Sequence, residues 1–312
     1  MSSNSKVEID LQSALVLADK ILSQRSPKAN FLLNLWIEKS RGKYLKLCFS
    51  YLRWVDDIVD DPQIAVHEKR NFINRQLKLI SEYTNNVFIP IEKTEEAFLF
   101  YFIQYGLSTK SNVIINSVQL MVEGLEMDVQ RTEGDGIFSE SEMSTYINKM
   151  SKSFFDVTAS FILPEGKYPY QDVIVTTAST KIWMIRDLSQ DFESGYVNIT
   201  REKLAQYNLI SKNLPQNKNL KNYLESEINN IIRLLIDEAK IMKQFPIRLK
   251  LFNYYTQVYY LPKVFRVKAY GNNLLKVQNR KKLYNETVTY FLTFKLALKI
   301  LFTEFYLYNS VK

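Results

Sequence analysis

Two short acidic runs hold the residues best suited to chemistry. Between Tyr51 and Asp61 the chain reads Tyr-Leu-Arg-Trp-Val-Asp-Asp-Ile-Val-Asp-Asp, with neither Gly nor Pro before Pro62. On a helix, Asp56 and Asp60 stand four apart on one face, Arg53 lies a turn earlier, and Asp57 and Asp61 form a second pair. Like charges at that spacing repel, and the turns between them are apolar, so the pairs are costly unless a cation sits among them. The arrangement recurs about 130 residues later as Met184-Ile-Arg-Asp-Leu-Ser-Gln-Asp191, where Asp187 and Asp191 share a face and Arg186 precedes them. Carboxylates from two helices suit Mg²⁺, which takes a few of them together with phosphate oxygens, and Mn²⁺ is the alternative ion. Neighbouring Arg side chains suit the phosphate itself. A solvated helix face accounts for one such pair; two copies, each with an Arg, argue against it.

The rest of the composition removes other chemistries. With one His, His67, a multi-His zinc site is out and a Ser-His-Asp triad is disfavoured. His67 falls on a polar stretch, Val66-His-Glu-Lys-Arg70, expected to be an exposed turn. Cys48 is single, which excludes an internal disulfide and fits a reducing compartment; its apolar neighbours point to an inert thiol. Carboxylates, Lys, Arg and Tyr remain. The net charge of +8 is uneven: Lys240 to Lys312 holds fourteen Lys and Arg against two Glu, leaving the rest net negative. No nucleic-acid motif accompanies this charge, so no nucleic acid is expected and an anionic membrane surface fits better. Met1 to Lys6 lacks an apolar signal-peptide core, and the expectation is a cytoplasmic protein able to work at a membrane surface.

The elements that would carry the acidic runs are helical. Only 8 Gly and 8 Pro interrupt 312 residues, 46% of them apolar, which favours long helices around a large core. The spacing predicts helices over 41–61, from Pro62 through Ile80, over 95–105 with Gly106 as the stop, and over 112–131. Others follow at 139–163, 171–193 with Gly195 to end it, 217–243, 246–270 and 278–308. No linker long enough to part domains is evident. The fold expected is all-α, a single-domain helical bundle over residues 1–312 with a central cavity, residues 287–308 forming a C-terminal helical extension.

These motifs resemble those of the squalene/phytoene synthases, all-α trans-prenyl transferases of the isoprenoid-synthase type. The Tyr51–Asp61 run is close to that family's first aspartate-rich motif, and Arg186-Asp-Leu-Ser-Gln-Asp-Phe-Glu-Ser-Gly195 is similar to the second. Gly124-Leu-Glu-Met-Asp-Val-Gln-Arg-Thr132 resembles its Gly-x-x-Met-Asp segment. The likeness covers roughly residues 10 to 285. It implies Mg²⁺ on Asp56, Asp60, Asp187 and Asp191, and chemistry at Arg53, Asp57, Tyr146 and Arg186. Substrate would be bound by Lys28, Phe49, Arg53, Phe155, Trp183 and Arg186. The implied reaction is head-to-head joining of two prenyl diphosphates, farnesyl or geranylgeranyl, by ionisation and carbocation chemistry; NADPH serves only part of the family, and nothing in this chain decides it.

Departures from the pattern bear on the product. The family's small-residue run after the active-site Tyr is here Met150-Ser-Lys-Ser-Phe-Phe155. Its Gln and Asn upstream of the second motif are here Thr180 and Trp183. Bulk at Phe154, Phe155 and Trp183 would shorten or reshape the lumen, which leaves open a terpene cyclase or transfer to another acceptor. A non-catalytic scaffold would be expected to lose metal-binding Asp residues, and all four are present. Lys295, Lys299 and Glu304 make 288–308 a poor transmembrane span; a buried helix and an interfacial one are the two alternatives.

Overall fold

The computed structural model describes residues 9–163, 176–193, 195–246, 248–250 and 252. Ten α-helices and one 3₁₀ helix lie among them, and no β-strand does. The helices are α1 (Leu11–Arg25), α2 (Pro27–Trp36), α3 (Lys39–Asp60), α4 (Val66–Thr84), α5 (Thr94–Ser108), α6 (Asn112–Glu133) and α7 (Glu140–Ile162). They continue with α8 (Thr177–Glu193), α9 (Arg201–Gln206), the 3₁₀ turn Ser211–Gln216 and α10 (Leu220–Met242). The helix expected over 278–308, with the extension at 287–308, lies outside the described residues. The chain divides into two compact units, Met1–Ile137 with Ser141–Thr177, and Phe138–Glu140 with Ala178–Lys312.

In the first unit α3 is the central helix, packed against α1, α2, α4, α5 and α6. Its apolar positions explain why. Leu45, Cys48, Tyr51, Val55 and Val59 recur at helical spacing and are completely buried, each worth about 2 kcal/mol when withdrawn from water. A polar relay fixes the helix at the start of the acidic run. The Tyr51 hydroxyl donates to Gln76 Oε1 at 3.2 Å, and Arg75 on the same turn of α4 forks onto Glu96 of α5 through 2.7 and 2.8 Å bonds. Glu96 is almost wholly buried; its other donors include the Glu92 N–H at 2.8 Å. Arg75 and these N–H groups outweigh burial and hold its carboxyl below the ordinary value.

Three local expectations need correction. Pro62 does not open α4: the Gln63 N–H donates to Asp61 Oδ1 at 2.8 Å and makes a turn, and α4 starts at Val66 after the Ala65 N–H donates to Glu68 Oε2. Gly106 does not end α5, which runs to Ser108; a Cβ there would stand 2.9 Å from Ile115 Cγ1, so Gly106 allows α5 and α6 to approach. Lys69 is not exposed with its neighbours. It is buried, and its ammonium donates to the Val59 carbonyl at the end of α3, where the helix dipole favours a cation. His67 is exposed and Cys48 is buried, its thiol pushed far up by burial, as expected of an inert group.

In the second unit α8 is anchored at its first turn, where the Ala178 N–H donates to buried Glu238 of α10 at 2.9 Å and Lys181 pairs with Glu227 at 2.7 Å. α10 buries Leu224, Ile228, Ile231, Leu235 and Met242 along one stripe. Gly195 follows α8 with φ of 90°, the left-handed conformation expected of a glycine stop. Among the described residues no helix is long and apolar enough to cross a membrane.

Candidate active site

The last turns of α3 deliver the acidic side chains at the spacing read from the sequence. Arg53 Nη1 lies 3.2 Å from Asp56 Oδ2, and Arg53 Nη2 lies 2.7 Å from Asp57 Oδ1. Asp57 Oδ2 also meets Arg25 Nη1, from the last turn of α1, at 3.5 Å. Asp57 thus gathers two guanidinium groups, while Asp56 and Asp60 carry the electrostatic burden. Burial first, then Asp60, Asp128 and Asp57, push Asp56 up to about 7, with Arg53 opposing. Asp60 is exposed at the end of α3, yet the partial loss of water around its carboxyl and then Asp128 push it up to about 6 against the pull of Arg53, Lys69 and Arg131. Such carboxyls resist ionising until positive charge arrives.

Behind them lies a buried group that sequence reasoning passed over. Asp128 and Arg131, three apart on α6, pair at 2.9 Å with both side chains nearly out of contact with solvent. The Tyr146 hydroxyl of α7 hydrogen-bonds to Asp128, and the Arg131 guanidinium stands 6.0 Å from the centre of the Tyr146 ring. Burial, followed by Asp128, holds the Tyr146 phenol well above its ordinary value, and burial raises Asp128 in spite of Arg131. The signal was present in the Gly124–Thr132 segment, where an Asp and an Arg one turn apart share a helix face. Arg25 was missed because it precedes the motif by a whole helix; Lys69 was missed because its sequence neighbours are polar.

Phe49 stacks on Phe154 at 5.6 Å between ring centres, and both rings are partly exposed. Phe155, expected at the substrate, is fully buried, so the neighbouring Phe154 is the ring beside Phe49. Trp183 is half-buried on α8. In the second unit Asp187 and Asp191 occupy α8, and Asn198 of the following loop donates to Asp191 Oδ2. The Tyr196 N–H donates to the Asp191 carbonyl at 2.7 Å, which folds that loop back onto the end of the motif. The side chains of Lys28 and Arg186 lie outside the described residues, although their backbones are in α2 and α8.

Residues 28–285 match the family model of squalene/phytoene synthase. The chain belongs to the squalene/phytoene synthase family. It is an enzyme of this prenyltransferase type, and its all-α architecture is the isoprenoid-synthase fold. The squalene synthase HpnC from Alicyclobacillus acidocaldarius superposes with a TM-score of 0.65 at 10% identity, over 86% of this chain and 98% of its own. A dehydrosqualene synthase solved in complex with a ligand gives 0.63 at 13% identity, over 94% of this chain and 98% of its own. No curated protein matches the sequence. At such identities the structural likeness carries the fold, and the chemistry rests on the residues themselves.

The donor set fits Mg²⁺. Among the described residues no three His, Cys, Asp or Glu side chains form a ready-made cage. Mg²⁺ in general is held by one or two carboxylates together with water and substrate phosphates. The raised Asp56 and Asp60 are the observation in favour, because a divalent cation would relieve both.

Proposed function

We propose that the protein ionises an allylic prenyl diphosphate, farnesyl or geranylgeranyl, with Mg²⁺ and joins two such chains head to head. The observation that carries the reading is the crowding of Asp56 and Asp60 beside Arg53, repeated in sequence by Asp187 and Asp191 beside Arg186. Asp56, Asp60, Asp187 and Asp191 would be the Mg²⁺ ligands. When bound, Mg²⁺ neutralises charge on the leaving diphosphate without a proton transfer.

The chain's own groups do the rest. Arg53 donates to phosphate oxygens, kept in place by Asp57 before substrate arrives. Lys28 and Arg186 would add donors to the same group. Phe49 and Phe154 offer ring faces to the allylic cation and keep water from it. The Tyr146 phenol, its ionisation disfavoured by burial and by Asp128, would present oxygen lone pairs to the cation. The basic stretch from Lys240 to Lys312 would favour a membrane surface, where amphiphilic prenyl diphosphates collect. On this reading residues 1–312 work as one functional domain.

A cyclised product is the second reading, favoured by the Phe49–Phe154 stack and by Trp183, which would occupy room that a second prenyl chain needs. One experiment separates them. The protein is incubated with C10, C15 and C20 diphosphates, with and without Mg²⁺ and NADPH, while released diphosphate and hydrocarbon products are followed. Mg²⁺-dependent release with a doubled chain supports the head-to-head reaction, and a product of unchanged carbon count supports the cyclase. Absence of Mg²⁺-dependent release from every substrate overturns both.

A further inference from the structure

The Asp128–Arg131 pair on α6 raises a question that the proposed reaction does not answer. An ion pair with both side chains buried seldom stabilises a fold more than apolar residues of the same shape. Its attraction offsets a desolvation cost that a Leu–Met pair would never incur. Here the pair has a third member. Tyr146 gives its hydroxyl hydrogen to Asp128, and the Arg131 guanidinium lies by its ring. The charge of Asp128 in turn bears on Asp56 and Asp60 of the first motif.

We propose that Asp128 and Arg131 are positioning residues that orient the Tyr146 phenol at the acidic motif. Arg131 fixes Asp128 through the buried 2.9 Å pair, and Asp128 accepts the phenolic hydrogen. With that hydrogen committed, the oxygen turns only lone pairs outward and its electron density rises through the charged hydrogen bond. A free Tyr hydroxyl would have to reorient as the cation develops, whereas one committed to Asp128 is already set. The role rests on the proposed carbocation chemistry, since a phenol oriented this way matters only where a cation forms beside it.

The test is a double-mutant cycle on Tyr146→Phe and Asp128→Asn in the full-length protein, read as kcat, KM and product composition with farnesyl diphosphate and Mg²⁺. Asp128→Asn should lower kcat about tenfold, the worth of one hydrogen bond to a charged group, with KM changed by less than about twofold. In the Tyr146→Phe background the same substitution should change neither kcat nor products, because the group it acts through is gone. Should Asp128→Asn alone fail to fold with Arg131 unpaired, Asp128→Asn/Arg131→Gln removes both charges together and is run through the same cycle. Melting temperatures of all variants supply a readout independent of turnover, and Tyr146→Phe and Asp128→Asn should also be coupled in stability. Equal losses of kcat in both backgrounds, or stabilities that simply add, overturn the positioning role. A wild-type protein that consumes no prenyl diphosphate instead refutes the reaction, a result distinct from an active enzyme with an additive cycle.

Discussion

Replacing Asp56 by Asn should stabilise the metal-free protein while destroying its activity. A carboxyl moved from its ordinary 3.8 to about 7 costs the fold at most about 4 kcal/mol, at about 1.4 kcal/mol for each tenfold change in proton affinity. Asp56 keeps 34% of its side chain exposed, and solvent screening at that exposure reduces the figure to about 1–2 kcal/mol. Asn keeps the shape and loses the charge, and the opposing pull of Arg53 at 3.2 Å is already contained in the raised value. The gain is about 1–2 kcal/mol, or about 2–4 °C in melting temperature for a chain of this size. Its pH dependence follows from the raised value. The proton favours the fold, so Asp56 costs nothing below pH 3.8 and its full penalty is reached above pH 7. Differential scanning calorimetry in EDTA at pH 8 and pH 5 should show Asp56→Asn more stable than wild type at pH 8, with a smaller gain at pH 5. Adding Mg²⁺ with inorganic diphosphate should reverse the order. A lower melting temperature for Asp56→Asn at pH 8 in EDTA, or a gain indifferent to pH, refutes the idea that this carboxylate is held at a cost.

Arg75→Ala leaves Glu96 buried without its guanidinium and should cost about 3 kcal/mol; in urea denaturation the loss should shrink in acid, because burial without Arg75 raises the Glu96 carboxyl in the variant and its protonation removes the unpaired charge. Gly106→Ala puts a methyl 2.9 Å from Ile115 Cγ1; overpacking of about 1–3 kcal/mol should exceed the roughly 1 kcal/mol gained in helix propensity, lowering the melting temperature. Trp183→Asn should alter the product spectrum while Mg²⁺-dependent substrate consumption stays measurable; unchanged products with a lower melting temperature would make Trp183 a packing residue.

The sequence spelled out what repeats along a helix and concealed what meets across helices. Asp56, Asp60 and Arg53 were legible because spacing of three and four residues on an unbroken helix fixes their relative positions. The helical boundary at Gly195 was legible because few residues other than Gly take the left-handed conformation that stops a helix there. Gly106 misled because the same residue also serves where two helices need to touch, and only Ile114 and Ile115 of α6 reveal which use applies. Lys69 misled because hydropathy scores a lysine as exposed, and the carbonyl of Val59 that draws it inward belongs to another helix. Asp128 and Arg131 were visible as a helical pair, yet their meaning depends on Tyr146, which arrives from α7.

The most direct test of the central claim is diphosphate release from farnesyl and geranylgeranyl diphosphate, measured against Mg²⁺ concentration for wild type, Asp56→Asn and Asp187→Asn. The account predicts Mg²⁺-dependent release by wild type and a fall of at least about a hundredfold in both variants, with each still folded. Release that ignores Mg²⁺, or near-normal turnover in either variant, would contradict it.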